Sequence, residues 1–528
     1  MTEQITEKLS FLASAYSSKT FSTLRGLERE ALRVDAAGHV SAKPHPRYLG
    51  SKLTHPLITT DFSEAQLELI TPAAESIDDT LSQLEKVHQF VYRGLDDEVM
   101  WSASLPCALQ GDNNIPLATY GKSNLGKLKT TYRNGLGNRY GRLMQTISAV
   151  HYNFSFSDEF WQDLAQYEQR DNSPAWRSKR YFDLIRNFRR FSWLPIYLFG
   201  ASPAVCESFV KGTPAEKKLE AMGRGTYGLS HGTSLRNSSI LGYQSKQQSE
   251  LLNICYNNLD NYVSTLTQAV CTPHPQFKNL DEMTGGMHTQ VNPNILQSEA
   301  EFYTTIRAKR VARNGENFLD CLHRDGVEYI EVRLLDVNPF SPVGFTKEQA
   351  NFIDTLLLYC LLLPSPEHNN QLCETVASNV EEVVEQGRLP TTLLEDGPRK
   401  RSVKDWGLEL TKELAPVARL LDQLTAGGEH LQSLQKQSAR LEDSSLTLSA
   451  RVLAEMEKEG ISYFRFAMNK SIEYQTHFQQ SPLSQDVAEM FELMSSKSFD
   501  DQRAIEAKDE VSFEKYLRNL QTSYSDLL

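Results

Sequence analysis

The sequence predicts a mixed α+β fold, in which strands and helices mingle up to about residue 345 and helices dominate thereafter. Before residue 345, short runs of strand composition lie between helical segments. After Pro342, longer helical segments are separated by polar linkers such as 387–404. We therefore expect a core of residues 1–345 and a mainly helical part, 346–528, packed on it as one continuous domain.

Apolar residues that recur at helical spacing predict the helices, and clusters of Gly, Asn and Pro predict the loops. Such clusters make 111–126 a loop, and 211–242 is loop-like as well. The predicted helical regions are, in order, 1–20, 76–99, 161–199, 348–363, 408–437, 446–460 and about the last 45 residues.

Composition narrows the class of protein. With 528 residues, 40% hydrophobic and 23% charged, the chain is an ordinary globular protein that can bury a large core. Its 55 lysines and arginines against 67 aspartates and glutamates give a formal charge of −12, which argues against a nucleic-acid partner. If the substrates are anionic, arginines or metal ions at the site must overcome this overall repulsion.

The sequence gives no sign of export or of a membrane span. The first residues lack a basic segment followed by a long apolar run, and the apolar stretch 355–364 is about half the ~20 residues that cross a bilayer. The seven cysteines are dispersed and never form C-x-x-C, which suits buried thiols in a reducing cytosol and makes zinc unexpected. We expect a cytoplasmic protein.

Glu28 and Glu30 are the first candidates for chemistry. On a strand they share one face, about 7 Å apart, together with apolar residues. Carboxylates in such surroundings are costly unless a positive charge lies between them, and hard divalent cations meet that need. The alternative is a solvated edge strand whose ion-pair partners are Arg25, Arg29 and Arg33.

Three further segments add candidates. Glu68 lies in an apolar, strand-like run, and Asp61 in the preceding turn is either a ligand or a turn residue. Gln145 begins the strand-like run that carries His151, which is either a hydrogen-bonded core residue or a ligand.

The last segment, 327–338, predicts a strand with two distinct faces. Glu331 can complete a metal site, and the fork of Arg333 suits phosphate oxygens. The alternative is a Glu–Arg pair on a wet sheet face. The predicted face that carries both consists of Tyr329, Glu331, Arg333 and Leu335.

Taken together, the chain has strand-borne acids, a histidine and many arginines, without a P-loop or a cysteine cluster. A magnesium site that clamps ATP phosphates requires this set of residues.

Longer stretches closely resemble the proteobacterial glutamate–cysteine ligases, in the same order through about residues 20–345 and more loosely to the C-terminus. They are RGLEREALRV, TTDFSEAQLELITP, YGKSNLGKLKTTYRNGL, RYGRLMQTISAVHYNFS, YLFGASPAVC, TSLR followed by LGY, and EYIEVRLLDVNPFSP.

The resemblance implies a glutamine-synthetase-like fold, with a curved, mainly antiparallel sheet that forms a funnel-shaped active site. It implies ATP-dependent joining of the γ-carboxylate of L-glutamate to the α-amine of L-cysteine through a γ-glutamyl phosphate. This reaction is the first step of glutathione synthesis. ATP would be a co-substrate, Mg²⁺ would be the cofactor with Mn²⁺ as an alternative, and glutathione would be an inhibitor. Apart from the resemblance, we expect a monomer.

The resemblance also implies roles for individual residues. Arg236 and Arg333 would meet the phosphoryl group, and Arg333 also the nucleotide. The implied magnesium ligands are Glu28, Glu30, Asp61, Glu68, His151 and Glu331. The implied cysteine pocket is formed by Tyr132, Leu136, Gln145, Tyr243 and Tyr303. Two alternatives stay open: a ligase of the same fold with another acceptor amine, and a non-catalytic MgATP-binding regulator.

Overall fold

A long antiparallel sheet is the centre of the computed structural model, which describes residues 3–106, 108–241, 252, 254–280, 282–312, 316–425 and 427–528. The strands are β1 (Thr23–Asp35), β2 (Ile58–Thr60), β3 (Gln66–Ile70), β4 (Glu98–Met100), β5 (Ala149–Phe156), β6 (Ala204–Cys206), β7 (Glu220–Gly223), β8 (Thr226–Gly228), β9 (Met283–Thr284), β10 (Met287–His288), β11 (Ile306–Lys309), β12 (Tyr329–Asp336), β13 (Leu393–Asp396) and β14 (Arg399–Ser402).

Helices surround the sheet. They are α1 (Glu3–Ala15), α2 (Ile77–Tyr92), α3 (Asn124–Tyr140), α4 (Asp158–Tyr167), α5 (Pro174–Phe191), α6 (Trp193–Phe199), α7 (Glu207–Val210), α8 (Leu259–Cys271), α9 (Pro275–Lys278), α10 (Phe318–Asp325), α11 (Lys347–Leu362), α12 (Asn370–Gln386), α13 (Val403–Leu424), α14 (His430–Glu442), α15 (Leu448–Glu459), α16 (Tyr463–Gln480), α17 (Gln485–Glu506) and α18 (Phe513–Ser525). Within the described ranges, none of these helices is long and apolar enough to cross a membrane.

The main sheet has the strand order β11-β12-β5-β1-β3-β2, and β4 pairs with β1. Neighbouring strands along this order pair antiparallel, which confirms the predicted mainly antiparallel sheet. The register places Glu28 opposite His151 and Glu30 opposite Glu68. Because side chains alternate across a strand, this register puts the acids of β1 and β3 and the histidine of β5 on one face.

A β-bulge in β12 changes its alternation. Val332 pairs with Tyr152, but Leu335 pairs with Val150, so two residues of β12 stand opposite one of β5. The prediction that Leu335 shares the face of Glu331 is therefore wrong. After the bulge, Leu335 points with Val150 into the hydrophobic core.

The other face of the sheet packs on helices from both halves of the sequence. Arg25 of β1 forms a buried ion pair with Asp354 of α11, with Nη2 2.6 Å from Oδ2. The hydroxyl of Tyr152 donates to Oδ1 of the same carboxylate at 2.7 Å. The apolar core likewise includes residues before and after position 345. The division into 1–345 and 346–528 stays a prediction.

Several predicted boundaries are wrong for identifiable reasons. The helix predicted over 76–99 ends at Tyr92, because Glu98–Met100 pairs with β1 as a strand. The predicted linker 387–404 contains the hairpin β13–β14, and the loop-like region 211–242 contains β7 and β8. The helix predicted over 408–437 is two helices, α13 and α14.

The cysteines also depart in part from the expectation of dispersed free thiols. Cys206, at the end of β6, is disulfide-bonded. Cys321 and Cys360 are buried free thiols, whereas Cys255, Cys271 and Cys373 are free and partly exposed.

Candidate active site

A cavity of about 320 Å³ opens on the face of the sheet that carries the acids. Six side chains that the sequence predicted as magnesium ligands line it, from β1, β3, β5, β12 and the turn before β3. They are Glu28, Glu30, Asp61, Glu68, His151 and Glu331.

His151 is the centre of one group of ligand atoms. Its Nδ1 lies 3.2 Å from Oε2 of Glu28 and 3.6 Å from Oε1 of Glu331. Its Nε2 lies 3.6 Å from Oε1 of Glu30. One ligand atom each from Glu28, His151 and Glu331 lie within 4.8 Å of one another, a spacing that suits a shared metal ion.

Glu30, Asp61 and Glu68 form a second, purely carboxylate group. Glu30 accepts a hydrogen bond from the backbone N–H of Ala149 at 2.8 Å. Burial, then Asp61 and Glu68, raise the pKa of Glu30 well above its ordinary value. Burial, then Glu28 and Asp61, raise the pKa of Glu68 to about 8. Buried carboxylates that repel one another in this way are stabilised in the ionised form by a cation between them.

The group of Glu28, His151 and Glu331 has a different electrostatic environment, because cationic side chains lie beside it. Burial raises the pKa of Glu331, but Arg333, Lys309, His151 and Arg307 outweigh it and hold the pKa well below its ordinary value. Nη1 of Arg333 donates to Oε1 of Glu331 at 2.9 Å, and Nζ of Lys309 lies 3.7 Å from Oε2.

His151 is suited to be a ligand in its neutral form. Burial first, and then Arg333, lower the pKa of its imidazole, despite the hydrogen bond with Glu28. The pKa of Glu28 is lowered, because the contacts with His151 outweigh the effect of burial. At neutral pH the pair is therefore a carboxylate and a neutral imidazole, both of which are metal ligands.

The donor set fits a hard divalent cation. It consists of carboxylate oxygens and one imidazole nitrogen, with no thiolate from the described residues. Oε2 of Glu331 and Oδ1 of Asn153 are buried and make no hydrogen bond within the described part of the chain. Such acceptors beside a carboxylate cluster are what a bound Mg²⁺ or Mn²⁺ with its water ligands would engage.

The side of the cavity formed by β11 and β12 carries a cationic rim beside Glu331. Arg307 and Lys309 of β11 line the cavity next to Arg333 of β12. Arg333 was predicted from the sequence as a phosphate-binding residue, whereas Arg307 and Lys309 were not. Their i and i+2 spacing places them on one strand face, but the alternation of apolar and basic residues in Ile306–Lys309 is only four residues long, at the lower limit of a recognisable strand pattern.

Most of the predicted cysteine pocket lies in the same cavity. Tyr132 and Leu136 extend from α3, Gln145 from the turn before β5, and Tyr303 from the segment before β11. Helix α3 begins after Ser123, whose hydroxyl accepts the N–H of Gly126 as an N-cap at 3.0 Å. Tyr243 lies outside the described residues.

Arg236 is placed differently from Arg333. Among described residues that line the cavity, Arg333 is present and Arg236 is not. The Arg236 guanidinium is fully buried and donates to Oδ1 of Asp336 at 3.0 Å, to the hydroxyl of Tyr303 at 3.0 Å and to the backbone oxygen of Arg333 at 2.7 Å. Its predicted contact with a phosphoryl group stays a prediction. These contacts indicate a positioning role for two residues that do line the cavity.

Comparison with known proteins agrees with this geometry. A family profile described as glutamate-cysteine ligase matches residues 9–383. The glutamate–cysteine ligase of Alcanivorax borkumensis is 42% identical over 525 residues, covering 98% of this chain and 99% of its own. That of Saccharophagus degradans is 43% identical over 526 residues and covers 98% of each chain.

The solved structure of one relative shares the fold of this chain and was determined with a bound nucleotide. The glutamate–cysteine ligase of Francisella tularensis, determined in complex with AMP, is 34% identical to this chain with a TM-score of 0.90. The match covers 97% of this chain and 99% of that one. The predicted fold class is thus confirmed. The family profile, the full-length identity and the shared fold agree, and the chain belongs to the glutamate–cysteine ligase family.

Proposed function

We propose that the protein ligates the γ-carboxylate of L-glutamate to the α-amine of L-cysteine, with ATP converted to ADP and phosphate. The observation that carries this proposal is the cavity itself, in which a carboxylate–histidine cluster faces a rim of Arg307, Lys309 and Arg333 in a chain of this family. The named activity of the relatives and the AMP held by the Francisella tularensis structure support the same substrates.

The chemistry divides into two displacements. An oxygen of the glutamate γ-carboxylate attacks the γ-phosphorus of ATP, and ADP leaves, which gives a γ-glutamyl phosphate. The neutral α-amine of cysteine then attacks the acyl carbon, phosphate leaves with the electrons of the C–O bond, and the nitrogen gives up a proton as the amide forms. Both steps pass through highly anionic arrangements, so positioning and electrostatic stabilisation are the main contributions of the protein.

The cationic rim is suited to that role. Arg333, held by Arg236 through its backbone oxygen and by Glu331 through Nη1, presents a guanidinium fork next to the carboxylates. Arg307 and Lys309 add positive charge on the neighbouring strand. When the substrates fill the cavity and displace water, these groups hold the transferred phosphoryl group and the leaving phosphate more strongly than they would in water.

We assign the five cavity acids and His151 to magnesium binding, with Mn²⁺ as an alternative metal. The ions would neutralise the phosphate oxygens of ATP and draw electron density from the γ-phosphorus. Glu28, His151 and Glu331 are the residues that would hold one ion, and Glu30, Asp61 and Glu68 a second.

The remaining assignments follow from the reaction. Tyr132, Leu136, Gln145 and Tyr303 form a small, partly aromatic pocket for the acceptor amino acid, and Tyr243 is proposed to join them. The product γ-glutamylcysteine is the precursor of glutathione, and glutathione, which contains the same γ-glutamyl group, is the proposed inhibitor. We infer a cytoplasmic monomer.

The proposal is tested by measuring phosphate release from ATP, Mg²⁺ and glutamate with and without cysteine. Release should depend on cysteine, and mass spectrometry should detect γ-glutamylcysteine. If ammonia serves equally well and cysteine has no effect, the assignment is wrong. Preference for 2-aminobutyrate over cysteine would indicate a different acceptor, and no turnover with any amine would favour a MgATP-binding regulator.

A further inference from the structure

The proposed acceptor pocket is built from two separate pieces of chain. Tyr132 and Leu136 lie on α3, whereas Tyr303 follows the short turn 299–301. The gap between these two pieces sets the width of the pocket. Whatever fixes their relative position therefore decides how well an acceptor amine is held.

Glu301 binds the two pieces together. Its Oε1 accepts from Nη1 of Arg139 at 3.0 Å and from the hydroxyl of Tyr140 at 2.7 Å, both at the end of α3. Its Oε2 accepts the N–H of Gln297 at 2.7 Å. Gly135 of α3 packs so closely on Gln297 that an added β-carbon would lie 2.0 Å from its Oε1. The turn and the helix are thus in direct, buried contact.

The C-terminal helix α18 reaches the same turn. The hydroxyl of Tyr524 donates to Oε2 of Glu299 at 2.5 Å, and the Tyr524 side chain is buried. Burial, then Glu299, and more weakly Tyr132, raise the pKa of Tyr524, which reflects how near its hydroxyl lies to the pocket. Tyr524 itself is not among the described residues that line the cavity.

The segment before α18 holds the start of α3. Oδ2 of Asp509 accepts the N–H of Asn124 at 2.6 Å, and the backbone oxygen of Val511 accepts from Nδ2 of Asn124 at 2.9 Å. Near the end of α18, the hydroxyl of Ser523 accepts from Nδ2 of Asn317 at 3.2 Å. The C-terminal segment therefore contacts both pieces of the pocket wall, from outside the cavity.

We propose that Tyr524 is a positioning residue for the acceptor pocket, because its hydroxyl, through Glu299, fixes the turn 299–301 and with it the gap between Tyr303 and Tyr132. This inference rests on the proposed function, since it concerns the acceptor of that reaction. It also gives the C-terminal helix a role beyond packing. Of the groups that we assign to ATP and glutamate, Arg307 also contacts this turn, because its Nη2 donates to the backbone oxygens of Ala300, at 2.8 Å, and Phe302. Loss of the Tyr524 hydroxyl should therefore affect cysteine most and ATP less.

The experiment is steady-state kinetics of Tyr524→Phe in the full-length protein, which removes only the hydroxyl. The KM for cysteine should rise about tenfold, in line with the loss of a hydrogen bond to a charged acceptor. The KM values for ATP and glutamate should rise by less than about threefold, because Arg307 is one of several groups assigned to them. Tyr516→Phe is the matched control, because Tyr516 lies on the same helix and stacks on Phe513.

A second pair of variants tests the route through Glu299. Glu299→Gln should raise the KM for cysteine as well, and the double variant should be no worse than the poorer single variant, because both changes weaken the same contact. Circular dichroism and the melting temperature check that each variant is folded. An unchanged KM for cysteine in Tyr524→Phe, or equal changes in all three KM values, would overturn the inference.

Failure of the proposed function has a different signature. In that case the unsubstituted protein would not consume cysteine, whatever the state of Tyr524. If it used another amine, the KM for that amine in Tyr524→Phe would decide the inference in the same way.

Discussion

Glu28 and His151 face each other across β1 and β5, with Oε2 of the carboxylate 3.2 Å from Nδ1 of the imidazole. Glu331 of β12 approaches the same nitrogen from the other side, at 3.6 Å. The group therefore depends on the register of three strands. If the register of any one strand shifted by one residue, its ligand side chain would point into the core.

Replacing a ligand by its amide tests the metal assignment. Glu28→Gln and Glu331→Gln keep the shape of the side chain but remove the charge, so we expect turnover to fall by roughly 100-fold or more. Activity across a magnesium titration is the measurement, with a melting curve to check folding. Glu328→Gln is the control, because Glu328 is half-exposed beside β12 and lies outside the cavity. Near-normal activity of either variant would exclude that residue as a ligand.

Arg333 should be sensitive even to a change that keeps its charge. Arg333→Lys retains one positive charge but loses the planar fork that can hold two oxygens, so kcat should fall by roughly 10- to 100-fold. Arg324→Lys provides the comparison, since Arg324 is half-exposed and pairs with Asp325 away from the cavity. Equal turnover of Arg333→Lys and the unsubstituted enzyme would show that Arg333 does not contact the transferred group.

The ion pair between Arg25 and Asp354 should matter for stability rather than for catalysis. Asp354→Asn leaves the Arg25 charge buried without its counter-charge and weakens the contact with Tyr152, so the free energy of unfolding should fall by about 3–5 kcal/mol. Urea denaturation measures it. Glu409→Gln, which breaks the exposed pair with Arg401, should cost less than about 1 kcal/mol. Similar losses in the two variants would contradict the prediction.

The burial of His88 should make the free energy of unfolding depend on pH in the acidic range. Burial, then Arg29, lower its pKa to about 3 from the ordinary 6.5, although Nδ1 is hydrogen-bonded to the backbone oxygen of Leu84. Below pH 6.5 the unfolded chain takes up a proton that the folded protein excludes. The contribution of His88 is therefore complete above pH 6.5 and is lost as the pH falls towards 3, by about 1.4 kcal/mol per pH unit.

The measurement is the free energy of unfolding between pH 7 and pH 5, for the unsubstituted protein and for His88→Gln. Because other groups titrate in the same range, the difference between the two pH profiles is the quantity of interest. The slope should be shallower in His88→Gln. Parallel profiles would mean that His88 is protonated in the folded protein as readily as in the unfolded chain.

Local patterns in the sequence were sufficient to select the residues of one sheet face. The i and i+2 spacing of Glu28 and Glu30, and of Glu331 and Arg333, places each pair on one side of a regular strand. Strand composition likewise marked the segments around Glu68 and His151. For these positions a short-range rule holds, since the alternation of a strand is a property of its own backbone.

Other features required the assembled chain. The bulge that turns Leu335 into the core arises from pairing between β12 and β5, and the sequence of β12 alone does not reveal it. The cationic rim appears only when β11 pairs with β12 and brings Arg307 opposite Glu331. The contacts of Arg236 with Asp336 and Tyr303 likewise join residues about 70 to 100 positions apart, a separation at which local patterns carry no information.

The sequence by itself thus determined that Glu28 and Glu30 share a strand face, and the ordered motifs determined the family. Only the tertiary structure decided that His151 of β5, Glu68 of β3 and Glu331 of β12 lie beside them. It also decided that the C-terminal helix packs on the outer side of the acceptor pocket. The physical reason is that alternation is fixed by the covalent geometry of each strand, whereas register and packing are fixed by contacts between segments distant in sequence.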